Sequence, residues 1–404
     1  MRQLSQPLLD AWSQVTGLGM EGQAAEPPSA LCQGVLALWE RFTRERSDLR
    51  SSYLDEAQGR QAYLAYYFPV NVAKVQALLD EMPEPMAGQN SPPEPFTILD
   101  VGCGPGTAAL GVLDWTNRHP PLQRIPVHLV AIDASSGALQ DCERLWSAYV
   151  RETGSTRAKL ATVRGDLERS TFPLGVKAVN KPYDVIVVAN VLNELFGNAR
   201  DPVGSRCEMV RSLLDLLVPR GTLIIIEPAL RETSRQLLQL RDLLLHTACC
   251  TVYSPCLREA RCPALIKEDD WCHEERPWTP PSLVAAIDRR IGFIKDSLKF
   301  SYLLLRKDGQ QIVPRSPSVY RVVSELRAMK GEQRAWLCNE TGRPEVGRLD
   351  RERSEANAAF DGWHRGAIVK VDEIVRNNRK GRAGTVGRIQ KPAAVEMLRP
   401  VEGD

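Results

Sequence analysis

ILDVGCGPGT, residues 98–107, runs a short apolar strand pattern into three glycines spaced two apart. Gly102, Gly104 and Gly106 permit a tight turn without Cβ clashes, so the backbone can approach a ligand closely as the chain enters a helix. Asp100 can accept a hydrogen bond from the cationic end of a ligand or order the loop, and Cys103 lies inside it. A strand-to-helix junction of this kind is where a nucleotide cofactor meets a sheet. A dinucleotide site would look similar, so the surrounding sequence has to decide.

Working outward, FTILDVG, VHLVAID, KLATVRGDL, YDVIVVANVL and GTLIIIEPA alternate with helical patterns over residues 96–245. That alternation predicts an α/β fold built on a parallel, doubly wound sheet. Near-continuous Val and Ile in DVIVVA and TLIIIE predicts strands covered on both faces. The second strand ends in Asp133, whose carboxylate can accept both hydroxyls of a ribose, and the third ends in RGDL, with Asp166 placed to meet an adenine amino group. Helix or turn capping competes for Asp100 and Asp133, and ordinary turn chemistry competes for Asp166. The fourth strand ends in Asn190, followed by VLNEL.

Upstream, VLALWERF and NVAKVQALLDEM space Leu, Val and Trp by three and four, which predicts a helical lead-in closed by the proline-rich MAGQNSPPEP, together residues 1–95. Downstream, a leucine-rich helix over 231–245 runs into a cysteine-bearing region, 246–340, with a further helix near 282–291 and a strand at FSYLLLRK. Residues 341–404 read as a basic extension in which GWHRGAIVKVDEI contains a strand. With 43% hydrophobic and 25% charged residues and a net charge of +2 over 404 residues, the composition is that of an ordinary soluble protein. No apolar run is long enough for a membrane span, and MRQLSQPLLDAWSQ lacks a secretory pattern, so no membrane partner and a reducing, cytoplasmic compartment are expected.

In such a compartment the ten cysteines are not expected to form disulfides. Cys32, Cys142 and Cys207 are scattered and read as buried hydrophobes. Cys256, Cys262 and Cys272 crowd one proline-bearing segment, and Cys338 returns from afar in RAWLCNETG. Together they can supply the four soft ligands of a tetrahedral zinc or of a cubane cluster. The five residues between Cys256 and Cys262 exceed the usual zinc-knuckle spacing, and His273 or the Cys249–Cys250 pair are alternative ligands. The run from Arg376 to Lys391 holds Arg376, Arg379, Lys380, Arg382, Arg388 and Lys391 without an acid, and can neutralise phosphates without a fixed fold; a solvated tail is its plain alternative.

DVGCGPG followed by AIDAS, RGDL and YDVIVVANVLNEL resembles the S-adenosylmethionine (SAM) dependent methyltransferase superfamily. The resemblance implies a Rossmann-like methyltransferase sheet with SAM held at Asp100, Gly102, Cys103, Gly104, Gly106, Asp133, Asp166 and Asn190. It places Asn190, Asn193 and Glu194 on the substrate-facing side as catalytic candidates. The segment is neither a Pro-Pro-Tyr loop nor a Pro-Cys nucleophile, so it leaves the methyl acceptor open. YLAYYFP at 63–69, ANVLNEL, IIIEPA, SPC, RCPA, WCH and a late cysteine extend the resemblance, over roughly residues 60–340, to the Rsm22-like family of bacterial and mitochondrial small-ribosomal-subunit methyltransferase-like proteins. That family implies a [4Fe–4S] cluster on Cys256, Cys262, Cys272 and Cys338, a cysteine-rich iron–sulfur extension of the fold, and rRNA as partner. For a eukaryotic source it implies the mitochondrial matrix. A radical-SAM Cys-x3-Cys-x2-Cys loop is absent, which separates the roles of the two cofactors. An rRNA methyltransferase or assembly factor is therefore expected. A non-catalytic RNA-binding scaffold is its first rival and a small-molecule methyltransferase the second.

Overall fold

The computed structural model describes residues 2–18, 26–44, 53–85, 94–169, 182–294, 296–376, 378–379, 382–383 and 386–401. Most of the proline-rich stretch at 86–93, and Lys380 of the basic run, lie outside these. The lead-in forms α1 (Gln6–Thr16), α2 (Ser29–Thr43), α3 (Ala57–Ala62) and α4 (Phe68–Glu81), with one wide helical turn at Tyr63–Tyr67 joining the last two. Local chemistry sets the ends of α1: Ser5 Oγ accepts the Leu8 N–H at 3.3 Å, Pro7 sits in the first turn, and Gly17 takes a φ of 68° at the exit.

The sheet that follows contains β1 (Phe96–Val101), β2 (Val127–Asp133), β3 (Ala158–Arg164), β4 (Tyr183–Ala189), β5 (Leu217–Pro228), β6 (Thr251–Ser254), β7 (Glu274–Pro277) and β8 (Ser297–Arg306). Between them run α5 (Thr107–Arg118), α6 (Ser136–Thr153), α7 (Pro202–Leu214), α8 (Arg231–His246) and α9 (Ser282–Ile291). The strand order is β3-β2-β1-β4-β5-β8-β6, with β7 also on β8. Strands β1 to β5 are mutually parallel. Strand β8 runs antiparallel to β5, pairing Leu223 with Leu305 and Ile225 with Leu303, and β6 and β7 are antiparallel to β8. The sheet is therefore mixed, which corrects the parallel sheet expected from the sequence. A strand buried on both faces reads as a continuous apolar run in either direction, so the pattern of β8 carried no sign of its reversal.

Alternate residues serve opposite faces, as the pleat requires. Ile98, Ile224 and Ile226 join a core with helices α1, α4, α5 and α6. Leu99, Val101, Leu223 and Ile225 join a second with Val210, Leu213, Leu237 and Leu244 of α7 and α8. Both faces are thus covered, and the carboxyl ends of β1, β2 and β4 form the rim where the glycine loop sits.

Beyond the sheet, β9 (Val319–Val322), β10 (Arg327–Met329), β11 (Glu332–Cys338), β12 (Glu345–Leu349), β13 (Ile368–Val371), β14 (Asn378–Arg379), β15 (Arg382–Ala383), β16 (Val386–Ile389) and β17 (Val395–Arg399) follow. Their order is β16-β12-β11-β9-β13-β17, with β10 on β11 and β14–β15 as a separate hairpin. The inner side carries Val322, Leu337, Val346, Val369 and Ile389, plugged by Phe360 and Trp363 from the segment between β12 and β13. The boundary read at 340 falls between β11 and β12 of this one sheet. The basic run is likewise not a plain tail: Arg376 is exposed ahead of the β14–β15 hairpin, Arg388 lies in β16, and the Lys391 N–H meets Glu352 at 3.1 Å. Among the described residues no helix is long and apolar enough to cross a membrane.

Candidate functional site

The three motif glycines do different work. All have positive φ, at 66°, 52° and 83° for Gly102, Gly104 and Gly106. A Cβ on Gly102 would collide with Val191, and one on Gly106 with the Cys142 sulfur, so these two glycines allow close packing of the loop on its neighbours. A Cβ on Gly104 would meet only Leu54 Cδ1, at 3.7 Å. Gly104 is the position where the loop faces space rather than protein.

Asp133, at the end of β2, accepts the Gly104 N–H and the Ser135 N–H, each at 2.8 Å, and so ties the loop to the second strand. Burial pushes its carboxyl up, against those same N–H groups. Asp100 is fully buried and accepts the Ala109 N–H in the first turn of α5 at 2.9 Å, the capping its sequence allowed. Burial raises its carboxyl to about 7, the helix N–H groups pulling the other way. The Cys103 thiol turns into the core beside Cys142, so only its backbone belongs to the loop. Asp166 is exposed, and its carboxylate accepts the Glu168 N–H at 3.0 Å and pairs with Arg169 at 3.3 Å. Asn190 takes a φ of 59° and donates its N–H to Ile226 at 2.7 Å, turning the chain across the rim; Leu192–Glu194 form a single helical turn.

One wall of this rim was not legible in any motif. The strap preceding α3 crosses the end of β2: Ser135 Oγ donates to Asp55 Oδ1 at 2.7 Å, and Arg60 Nη1 donates to the Leu54 and Asp55 carbonyls at 2.9 and 2.8 Å while Arg60 Nε reaches Asp141 at 3.2 Å. Tyr53 and Tyr63 stand beside it, and burial lifts the Tyr63 hydroxyl to about 12, with the Glu194 and Asp133 charges adding to the rise. Glu194 and Asp133 therefore approach the same pair of tyrosines. YLAYYFP was the only trace of this wall in the sequence.

The four singled-out cysteines come together. Cys256 and Cys262 lie between β6 and β7, Cys272 precedes β7, and Cys338 ends β11; all four line one cavity of about 50 Å³ between the first sheet and the second. As placed, no three His, Cys, Asp or Glu side chains among the described residues are grouped to hold a metal ion. Burial pushes the Cys262 and Cys272 thiols up and brings Cys338 to about 12, the neighbouring cysteines adding to the rise for Cys262 and Cys338. Opposing cations are built in. Arg241 is fully buried and donates to the Ala260 and Arg258 carbonyls of the cysteine loop, and Arg343 lowers Cys272 and Cys338. His273 also lines the cavity, with Nε2 2.9 Å from Glu275 and Nδ1 buried without a hydrogen bond. Cys249 and Cys250 pack instead with the core under α7 and α8. Cys32, Cys142 and Cys207 are buried.

Next to the cavity, a largely buried ionic network joins the lead-in, the first sheet and the second. Arg321 of β9 donates to Glu274 at 2.5 Å and to Tyr302 at 2.7 Å, while Arg276 donates to Glu81 of α4 at 2.6 Å. Tyr302 and Ser254 both donate to Glu81. Two guanidiniums balance two carboxylates, with Glu274 and Arg321 almost wholly buried and Glu81 and Arg276 nearly so.

Among solved structures, the chain is similar to a class I SAM-dependent methyltransferase of Listeria monocytogenes (13% identity, 77% of this chain and 90% of that one, TM-score 0.37). It is similar also to a SAM-dependent methyltransferase of Leishmania major (11%, 73% and 91%, 0.35) and to the CcbJ methyltransferase of Streptomyces caelestis (18%, 39% and 49%, 0.26). The chain thus spans about half the length of the last of these. At such scores the likenesses carry no argument, and the fold rests on the strand order above. No curated protein matches the sequence. The family model described as mitochondrial small ribosomal subunit Rsm22 matches residues 57–349, well over half of the chain and spanning both the glycine loop and all four cavity cysteines, and the chain belongs to that family.

Proposed function

We propose that this methyltransferase-like protein binds SAM on the rim formed by β1, β2 and β4 and acts on, or assembles with, the RNA of the small ribosomal subunit. The observation that carries the cofactor reading is Gly104: its N–H is fixed by Asp133, and it is the one motif glycine with room for a Cβ, the cradle that close approach of a ligand to the backbone requires. Asp100 would meet the amino end, Asp133 the ribose and Asp166 the adenine, with Asn190, Asn193 and Glu194 facing the acceptor. Bound SAM supplies an electrophilic methyl group. The chain's own residues supply approach and alignment, and Tyr53 and Tyr63 exclude water from the Glu194 side.

Gly104→Val should abolish measurable SAM binding by calorimetry, because its branched side chain fills the cradle and its backbone resists a φ of 52°. Unchanged affinity would overturn the assignment. The buried Asp100 adds a pH signature. Below about 7 it is protonated and cannot neutralise the cofactor's amino group, so binding selects the ionised form and tightens as pH rises. Affinity should therefore rise severalfold between pH 6 and 7, before an α-amino group, with its pKa of about 7.7–8.0, loses much of its proton. A flat profile would leave Asp100 a helix cap alone.

A scaffold that retains the fold without transferring a methyl group is favoured by the strap, since Asp55 and Leu54 latch onto Ser135 across the rim. Labelled SAM incubated with small subunits separates the two, since only a transferase labels the RNA. For the cavity, we propose a [4Fe–4S] cluster on Cys256, Cys262, Cys272 and Cys338, with zinc as the alternative. Four thiols on one cavity, with Arg241 and Arg343 to offset their charge, suit either centre, and the family favours the cluster. A bound centre would draw the thiols closer than they stand. The boundary at 95 and the RNA contact by Arg376, Arg379, Lys380, Arg382, Arg388 and Lys391 belong to the same proposal, whereas boundaries at 245 and 340 fall within the first and the second sheet.

A further inference from the structure

We infer that the C-terminal barrel is an oligonucleotide-binding module whose outer face on β11, β12 and β16 holds single-stranded RNA. The strand pairing carries the first half of this. Successive strands β9, β11 and β12 are antiparallel, β13 returns to pair β9, and the final segment pairs twice: as β16 parallel to β12 and as β17 antiparallel to β13. Taking β16 and β17 as one bent strand gives five strands in the order 1-2-3-5-4 closing back on 1, the Greek-key barrel of the OB-fold, which binds oligonucleotides across strands 2 and 3.

Chemistry on that face carries the second half. Ala335, Leu337 and Val346 point into the barrel, so Arg334, Trp336 and Glu345 point out. Arg388 lies on the same side, and Arg334 and Arg388 both lean over Gly347, where a Cβ would strike Arg334 Cγ at 2.8 Å and Arg388 Nη1 at 3.1 Å. The glycine thus opens a floor on which two guanidiniums lie side by side. With half-exposed Arg327 they surround only two carboxylates, Glu332 and Glu345, leaving an excess of positive charge. A pair as exposed on its cationic side as Arg327–Glu345 contributes about 1 kcal/mol or less, so that guanidinium fork can turn to a phosphate at little cost. Trp336 is half-buried beside them with the Arg343 guanidinium 5.9 Å from its ring centre, a platform for an unpaired base. The rest of the molecule docks on the barrel through Arg321, Arg365 and Gly366 against Glu274 and Glu275, and at the Cys338–Arg343 end of this face, where Arg343 pairs with Asp270; the end around Gly347, with Arg327, Arg334 and Arg388, makes none of these contacts.

The inference deepens the ribosomal reading and rests on it for RNA over DNA. The test uses the full chain and a fluorescent single-stranded RNA of about twelve nucleotides, alone or annealed to its complement, read by anisotropy. The single strand should bind at least tenfold more tightly than the duplex. Arg327→Gln, Arg334→Gln and Arg388→Gln together should weaken it at least tenfold and reduce the salt slope by about two. Should that triple variant lose thermal stability, Arg327→Gln alone and Trp336→Leu carry the test, each weakening binding severalfold, the latter without changing the slope. Equal affinity for duplex and single strand, or variants that bind as the parent does, would overturn the inference. Co-sedimentation with small subunits is scored separately. Sedimentation without binding of the free strand sinks the barrel assignment alone, and binding without sedimentation supports the barrel and sinks the ribosomal reading.

Discussion

If the proposed cluster is present, Cys338→Ser should abolish it, taking iron from about four atoms per chain in anaerobically purified parent to near zero. Cys338 is the sharpest of the four positions because it alone comes from the barrel, at the end of β11, whereas Cys256, Cys262 and Cys272 come from the loop between β6 and β7. A centre bound by all four closes a loop from residue 256 to 338 and fastens barrel to sheet, so its binding energy is also docking energy. Limited proteolysis should then cut the variant within residues 319–401 while the β1–β3 region stays protected, and SAM affinity should change little. Full iron or zinc content with parental protease resistance would remove Cys338 from the ligand set. His273, whose Nδ1 is buried and unbonded on the same cavity, would replace it ahead of Cys249 and Cys250, which pack in a different core.

Arg321→Ala should destabilise the protein by about 3–5 kcal/mol, the cost of breaking a buried ion pair from one side. The side chain is 5% exposed and meets Glu274, Tyr302 and the Glu81 carboxylate, so its removal leaves two buried carboxylates to Arg276 alone. Urea unfolding followed by tryptophan fluorescence reads the loss, and the tenfold-per-1.4 kcal/mol scale makes it unmistakable. Arg321→Met combined with Glu274→Gln should recover most of it, since the penalty lies in the stranded charge and not in the missing bond. An Arg321→Ala variant as stable as the parent would mean the network is wet and the barrel held by other contacts. Acid gives a second reading. Burial alone would raise Glu81, yet Arg276 and Arg321 hold it below the usual carboxylate range. Its contribution is present above the unfolded value and disappears as pH falls through the lowered one, so the parent should lose stability on acidification where the variant loses less.

Much of this was legible in the chain itself. Alternating apolar runs fixed β1 to β5 and their helices, because a strand covered on both faces has to be Val- and Ile-rich, and a helix with one buried side has to repeat near 3.6. The leucine-rich helix at 231–245, the helix at 282–291 and the FSYLLLRK strand appear as α8, α9 and β8. The glycine loop was legible because positive φ at three positions leaves a mark no other residue makes. Illegible were the strap at Tyr53–Arg60, the antiparallel end of the sheet and the closure of the barrel. Ser135 meeting Asp55 and Arg321 meeting Glu274 are pairings of ordinary residues 80 and 47 positions apart, with no spacing to announce them.

The sequence by itself determined the elements and the residues capable of chemistry: the acid-and-glycine loop, the carboxylates closing successive strands, and a concentration of thiols too high for chance burial. Those are local matters, set by backbone freedom, side-chain period and functional group. Only the tertiary structure decided which of them share a place. It left Gly104 alone among the three motif glycines with room for a Cβ, turned the Cys103 thiol into the core, and brought Cys338 across from the second sheet to the three loop cysteines. It also set Arg388 of the basic run into β16 of the second sheet. Strand direction, barrel closure and long-range convergence depend on where each segment finds a partner for its buried backbone groups and charges, and that partner is chosen by the whole chain.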